Sequence, residues 1–133
     1  MLAVDTNVLV RFLVADDAAQ HRRAVALFRG HSIWLSRTVL LESEWVLRSA
    51  FGFQASEIAQ AFDGLTRLPN VVCDAAPAVT RAIEALAQGM DFADALHLQC
   101  AVNATCEEGF ATFDARFIKR AGKQWPGAKI HTP

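Results

Sequence analysis

No stretch of this chain approaches the roughly 20 consecutive apolar residues of a membrane-spanning helix, although 53% of its 133 residues are hydrophobic. An acid arrives at Asp5, before a basic segment or a long apolar run has formed, so no signal peptide is expected. Cysteine is scarce and odd in number: Cys73, Cys100 and Cys106 sit in apolar surroundings without CxxC or Cys/His ligand spacing. They read as reduced core thiols, which suits a reducing cytoplasm. Charge of one sign is also missing, because the formal net charge is -1. There is no GxGxxG or GxxxxGK[ST] phosphate loop, no HExxH and no GxSxG nucleophile turn. Dinucleotide, P-loop, zinc-protease and serine-hydrolase chemistries are therefore set aside. No repeat or low-complexity stretch divides the chain, and residues 1–133 are expected to form a single domain.

Apolar periodicity supplies the fold class. Met1-Leu2-Ala3-Val4 reads as a strand that stops at Asp5-Thr6-Asn7 and hands over to a helix through Leu13. Helices are predicted from Asp16 to Gly30, from Ser36 or Thr38 to about Phe51, from Ser56 to Leu68, from Ala75 to Gln88, from Asp91 to Ala104, and around Arg116–Arg120. Strands are predicted at Ser32–Ser36, Val71–Cys73, Gly109–Thr112 and Ala128–His131. Short apolar strands alternating with helices of ten or more residues imply an α/β protein, a mostly parallel sheet of about five strands covered on both faces.

Four carboxylates, Asp5, Glu42, Asp94 and Asp114, stand at the edges of apolar segments. Asp5 falls at a strand's carboxyl end, where α/β sheets collect ligand-binding groups; an ordinary helix cap explains it as well. Glu42 is flanked by Leu40 and Leu41 and is expected to be buried, paired with a metal or with an arginine such as Arg11 or Arg37. Glu44, about 200° further round the helix, is expected to be the exposed partner of Arg48. Asp91, Asp94 and His97 share one side of a helix; the dipole accounts for Asp91, while Asp94 sits among Phe92, Ala93, Ala95 and Leu96. An extended Thr112-Phe113-Asp114 would turn Thr112 and Asp114 to the same side.

Carboxylates converging without histidine or thiolate ligands select a hard cation, Mg²⁺ or Mn²⁺. Two of them about 4 Å apart repel by about 4 kcal/mol at an effective dielectric of 20, so the cluster calls for its own metal. Such ions activate water for attack on phosphorus, and phosphodiester hydrolysis is the natural reaction class. The stretch after Ala115 carries Arg116, Lys119, Arg120, Lys123 and Lys129 and no acid. It is a candidate phosphate-contacting surface, or else an ordinary solvated face.

The segments Val4–Asn7, Leu41–Leu47, Asp91–Leu96 and Thr112–Asp114, in this order and spacing, together resemble the PIN-domain family and within it the VapC-type toxins. The resemblance covers nearly the whole chain. It implies a PIN-like three-layer α/β/α sandwich and Mg²⁺- or Mn²⁺-dependent endoribonuclease activity leaving a 5′-phosphate and a 3′-hydroxyl. It also implies a role as toxin beside a small VapB-like antitoxin. Asp5, Glu42, Asp94 and Asp114 match the family's acidic positions. Thr6, Asn7 and Thr112 match supporting polar positions, and Asp91 a non-essential acid. Arg116 and Lys119 are the expected contacts to the RNA backbone. Trp34, Trp45 and Trp125 could stack on unpaired bases, but the apolar neighbours of Trp34 and Trp45 favour the core, which leaves Trp125 as the one expected at the surface. Family members usually form homodimers, and Phe51, Phe53, Ile58 and Phe62 offer apolar surface for a second chain or an antitoxin helix, unless they are core.

Rival readings are weaker. A haloacid-dehalogenase-type phosphatase needs a second Asp where Asn7 stands, and a receiver domain needs a lysine where none occurs before Lys119. The remaining alternative is a non-catalytic PIN-like module that binds protein or RNA.

Overall fold

The computed structural model describes all residues, Met1–Pro133. Its elements run in the order β1 (Leu2–Ala3), α1 (Thr6–Leu13), α2 (Ala18–Gly30), β2 (Ile33–Leu35), α3 (Arg37–Ser49), α4 (Ala55–Thr66), β3 (Val71–Cys73), α5 (Ala76–Ala87), α6 (Phe92–Asn103), β4 (Phe110–Ala111), α7 (Ala115–Gln124) and β5 (Ile130–His131). Every expected helix and strand is present. Helix starts follow their caps: Asp5, Asp17, Ser36, Asp91 and Asp114 each accept a hydrogen bond from a backbone N–H of the helix that follows. Helix α4 begins one residue before Ser56, because Gln54 is the cap and its N–H donates to Glu57 Oε1 at 2.9 Å.

The strands are parallel, as βαβ connections require. They form two ladders rather than one sheet: β1-β2-β3, with Ile33 opposite both Leu2 and Val71, and a separate pair β4-β5, with Phe110 opposite Ile130. The expected α/β sandwich with about five parallel strands is borne out, the five being divided between these two ladders. Strands β1, β4 and β5 are each two residues long.

The core lies where the helices meet the three-stranded sheet. Leu9, Ile33, Leu35, Leu40, Leu47, Ile58, Phe62 and Phe92 are wholly buried, and Phe62 meets Phe92 edge to face at 5.6 Å. Ile58 and Phe62 are thus removed from any interface, while Phe51 and Phe53 are half-buried against the core. Both buried residues fall on the inward i, i+4 stripe of α4. Trp34 and Trp125 are half-buried, and Trp125 packs on the core instead of standing at the surface. Trp45, expected inside, is 59% exposed. Gly109 holds the β4-β5 pair together: its φ is +104°, and a Cβ there would lie 2.4 Å from the Lys129 carbonyl oxygen. No helix is long and apolar enough to cross a membrane.

Candidate active site

Parallel β1 and β2 deliver their following residues to the same edge of the sheet. Asp5, just beyond β1, caps α1, accepting from the Thr6 N–H at 2.8 Å, and is exposed. Ser36, just beyond β2, caps α3, whose second turn carries Glu42 roughly 8 Å from its start. Helix α3 packs against both α1 and α6. The elements bearing Asp5, Glu42 and Asp94 are therefore neighbours around α3.

Helix phase decides which glutamate of α3 is buried. Its buried positions are Leu40, Ser43, Glu44 and Leu47, a stripe at i, i+3, i+4 and i+7. Glu44 falls on that stripe and is 4% exposed, whereas Glu42 falls between its members and is exposed. The expected burial of the two is reversed. Apolar neighbours in the sequence misled, because Leu40 and Leu41 point about 200° and 100° away from Glu42. Glu44 is committed to Arg48, whose Nε donates to Oε1 at 2.9 Å, and this contact raises the Arg48 guanidinium further. Glu42 pairs with neither Arg11 nor Arg37. Arg11 holds Asp16 at 2.6 Å and Arg37 lies 3.3 Å from Asp74.

A cavity of about 370 Å³ opens between α3, the start of α6 and α7, lined by Glu44, Asp91, Asp94 and Asp114 and by Arg48, Arg116 and Arg120. Asp91 caps α6 and accepts from the Asp94 N–H at 3.0 Å. Asp114 caps α7, accepting from Phe117 N–H at 2.9 Å, while its own N–H donates to Thr112 Oγ1 at 3.1 Å. The sequence placed Thr112 beside Asp114, and here its hydroxyl sets the turn that aims the carboxylate. Burial raises the Asp94 carboxyl above its ordinary value, the charges of Asp91 and Asp114 raise it further, and His97 opposes them weakly.

Other predicted residues lie elsewhere. Asp5 and Glu42 do not line this cavity, and Asn7 faces a separate groove with Arg11 and Gln20. Thr6 is buried. Lys119 is exposed on α7 without lining the cavity, whereas Arg120, one turn beyond Arg116, lines it and donates to the Gly89 carbonyl at 2.9 Å. Glu44, Arg48 and Arg120 were missed as cavity residues. The 40-44-47 phase and the 44/48 and 116/120 spacings were the signals available for them.

Asp16, Glu44, Asp63 and Asp74 are in salt bridges. Asp5, Glu42, Asp91, Asp94 and Asp114 are in none, and neither are Asp17, Glu57, Glu84, Glu107 and Glu108. As the side chains stand, no three His, Cys, Asp or Glu groups close on a point that would hold one metal ion. The fit to a divalent cation is one of donor chemistry and charge. The Asp91 and Asp114 carboxylates, in no salt bridge, stand near Asp94, whose proton affinity is raised first by burial and then by these like charges, which a cation would offset.

The sequence matches the PIN domain family over residues 2–123, and the chain belongs to that family. No curated protein and no solved structure matches it. PIN domains are in general metal-dependent nucleases, so the fold and the acidic cavity define a nuclease-like protein.

Proposed function

We propose that this protein is a Mg²⁺- or Mn²⁺-dependent endoribonuclease of the VapC type, acting in the cytoplasm as the toxin of a pair with a VapB-like antitoxin and assembling as a homodimer. The observation that carries the nuclease reading is the set of carboxylates free of any cationic partner around Asp94, in a cavity whose other wall is arginine. Asp94 and Asp114, which line the cavity, and Asp5 and Glu42, outside it on the neighbouring α1 and α3, are the residues that would hold the cation, Glu42 because it is exposed and in no salt bridge, unlike Glu44. A divalent ion bound there would supply a more acidic water and offset charge developing at phosphorus. The chain's own part is positional. Thr112 fixes the Asp114 turn, Asp91 fixes the first turn of α6 beneath Asp94, and Arg48 ties up Glu44 through its Nε. Arg116 and Arg120 face the incoming phosphodiester, where a guanidinium neutralises phosphate charge and sets register.

The test is incubation of partner-free protein with structured RNA in EDTA, Mg²⁺ and Mn²⁺, alongside Asp94→Asn. Metal-dependent cleavage lost in the variant supports the proposal. Equal RNA binding by both proteins without cleavage in any condition replaces it with the non-catalytic module.

A further inference from the structure

Of nine phenylalanines and three tryptophans, only Phe113 and Trp45 are exposed, at 80% and 59%. Neither belongs to the hydrophobic core or packs against it. Both are next in sequence to a carboxylate that lines the acidic cavity, Phe113 to Asp114 and Trp45 to Glu44. Neither ring lines the cavity itself, but each stands on an element that does, Phe113 just before α7 and Trp45 on α3. Phe113 is also held on a fixed turn, because the Thr112 hydroxyl accepts the Asp114 N–H on one side and Asp114 caps α7 on the other. Its ring is presented to solvent by backbone that has little freedom to withdraw it. Trp45 shares its helix surface with Arg48, one turn on.

Exposed rings interleaved with guanidinium groups form the combination that takes a flexible polyanion carrying flat bases. Cations follow the backbone, and every unpaired base offers a π-face to an aromatic ring. A protein-docking face would instead be a contiguous apolar patch. Here the cavity lining on the same elements is charged, with Arg48, Arg116 and Arg120 beside the acids. We infer that Phe113 and Trp45 are stacking platforms for unpaired bases flanking the phosphate at the acidic cavity, so that the strand enters with its bases splayed out. This rests on the nuclease reading for the identity of the phosphate, and it assigns specificity to two residues outside the acidic set.

Binding by the uncleaving Asp94→Asn protein is measured with a short oligouridylate and with a blunt RNA duplex, following tryptophan fluorescence and anisotropy. Phe113→Ala and Trp45→Ala should each weaken the single strand by about 5- to 150-fold, and Phe113→Leu, apolar but not aromatic, should resemble Phe113→Ala. Phe113→Tyr and Trp45→Phe should retain most of the affinity. Fluorescence quenching on binding should vanish in Trp45→Phe, which keeps the half-buried Trp34 and Trp125. Wild-type affinity in Phe113→Leu, quenching that persists without Trp45, or equal affinity for the duplex would overturn the inference. So would a change in self-association with RNA affinity unmoved, because the rings would then cover a protein interface. Cleavage of the oligouridylate in Mg²⁺ by a Phe113→Leu protein with unaltered KM sinks the inference and leaves the nuclease. Ring-dependent binding without cleavage by wild type does the reverse.

Discussion

Two glutamates two residues apart on α3 have opposite assignments, and stability measurements separate them. Arg48→Ala would leave the Glu44 carboxylate, whose side chain is 6% exposed, without its partner. Breaking a fully buried ion pair costs about 3–5 kcal/mol, and an exposed i,i+4 pair contributes about 0.3–0.5 kcal/mol. The Arg48 side chain is 50% exposed, so water screens half of this pair; a loss of about 2 kcal/mol lies between the limits. For a domain of this size that lowers Tm by roughly 6–10 °C. Glu42→Gln, at an exposed site without a salt bridge, should move Tm in EDTA by no more than about 2 °C. With Mn²⁺ at about 100 times its Kd, wild type should gain about 2.7 kcal/mol, and a tenfold weaker site in Glu42→Gln about half of that. Thermal unfolding of wild type, Arg48→Ala, Glu44→Gln and Glu42→Gln, each in EDTA and in Mn²⁺, reads every term. A full metal shift in Glu42→Gln together with its loss in Glu44→Gln would refute the assignment and make Glu44 the ligand.

Asp94→Asn should raise Tm in EDTA, since it removes a carboxylate that burial, Asp91 and Asp114 all disfavour, and it should abolish most of the Mn²⁺ shift; a lower metal-free Tm would mean that Asp94 is structurally paired. The pH dependence has a defined sign. The folded Asp94 carboxyl holds its proton above the ordinary value of 3.8, so across that window the folded chain binds more protons than the unfolded one. Its contribution to metal-free stability is present below the ordinary value and is lost as pH rises through the raised one. In the enzyme, protons and cation compete for Asp94, so the acidic limb of kcat/KM should lie above the ordinary aspartate range and move to lower pH as Mg²⁺ is increased; a limb indifferent to Mg²⁺ would remove Asp94 from the metal set. Gly109→Ala forces a Cβ against the Lys129 carbonyl at positive φ and should cost about 2–4 kcal/mol by denaturant unfolding, whereas Gly64→Ala, in a helix with open space around it, should be neutral or stabilising.

Elements and their order were legible because caps and apolar periods are local. Asp5, Asp17, Asp91 and Asp114 cap the helices their positions announce. The acidic cavity was legible in part, since Asp94 and Asp114 meet there with Asp91 although their segments are separated in sequence. What failed was judging exposure from neighbours along the chain: Glu42 and Trp45 sit in an apolar stretch and face water, while Glu44 faces inward. The correct rule was present in the same residues, because Leu40, Glu44 and Leu47 keep the helical period and Glu42 and Trp45 do not. That phase has a functional consequence. A helix that turned its uncommitted carboxylate inward would have to neutralise it with an arginine, as it does for Glu44, and a cation would then compete with that arginine for it. By burying the glutamate that can reach Arg48 at i+4 and exposing the one that cannot, α3 anchors itself with one acid and leaves the other open. The aromatic at position 45 is exposed by the same rotation, so the features proposed for metal and for bases on this helix follow from one choice of helical face.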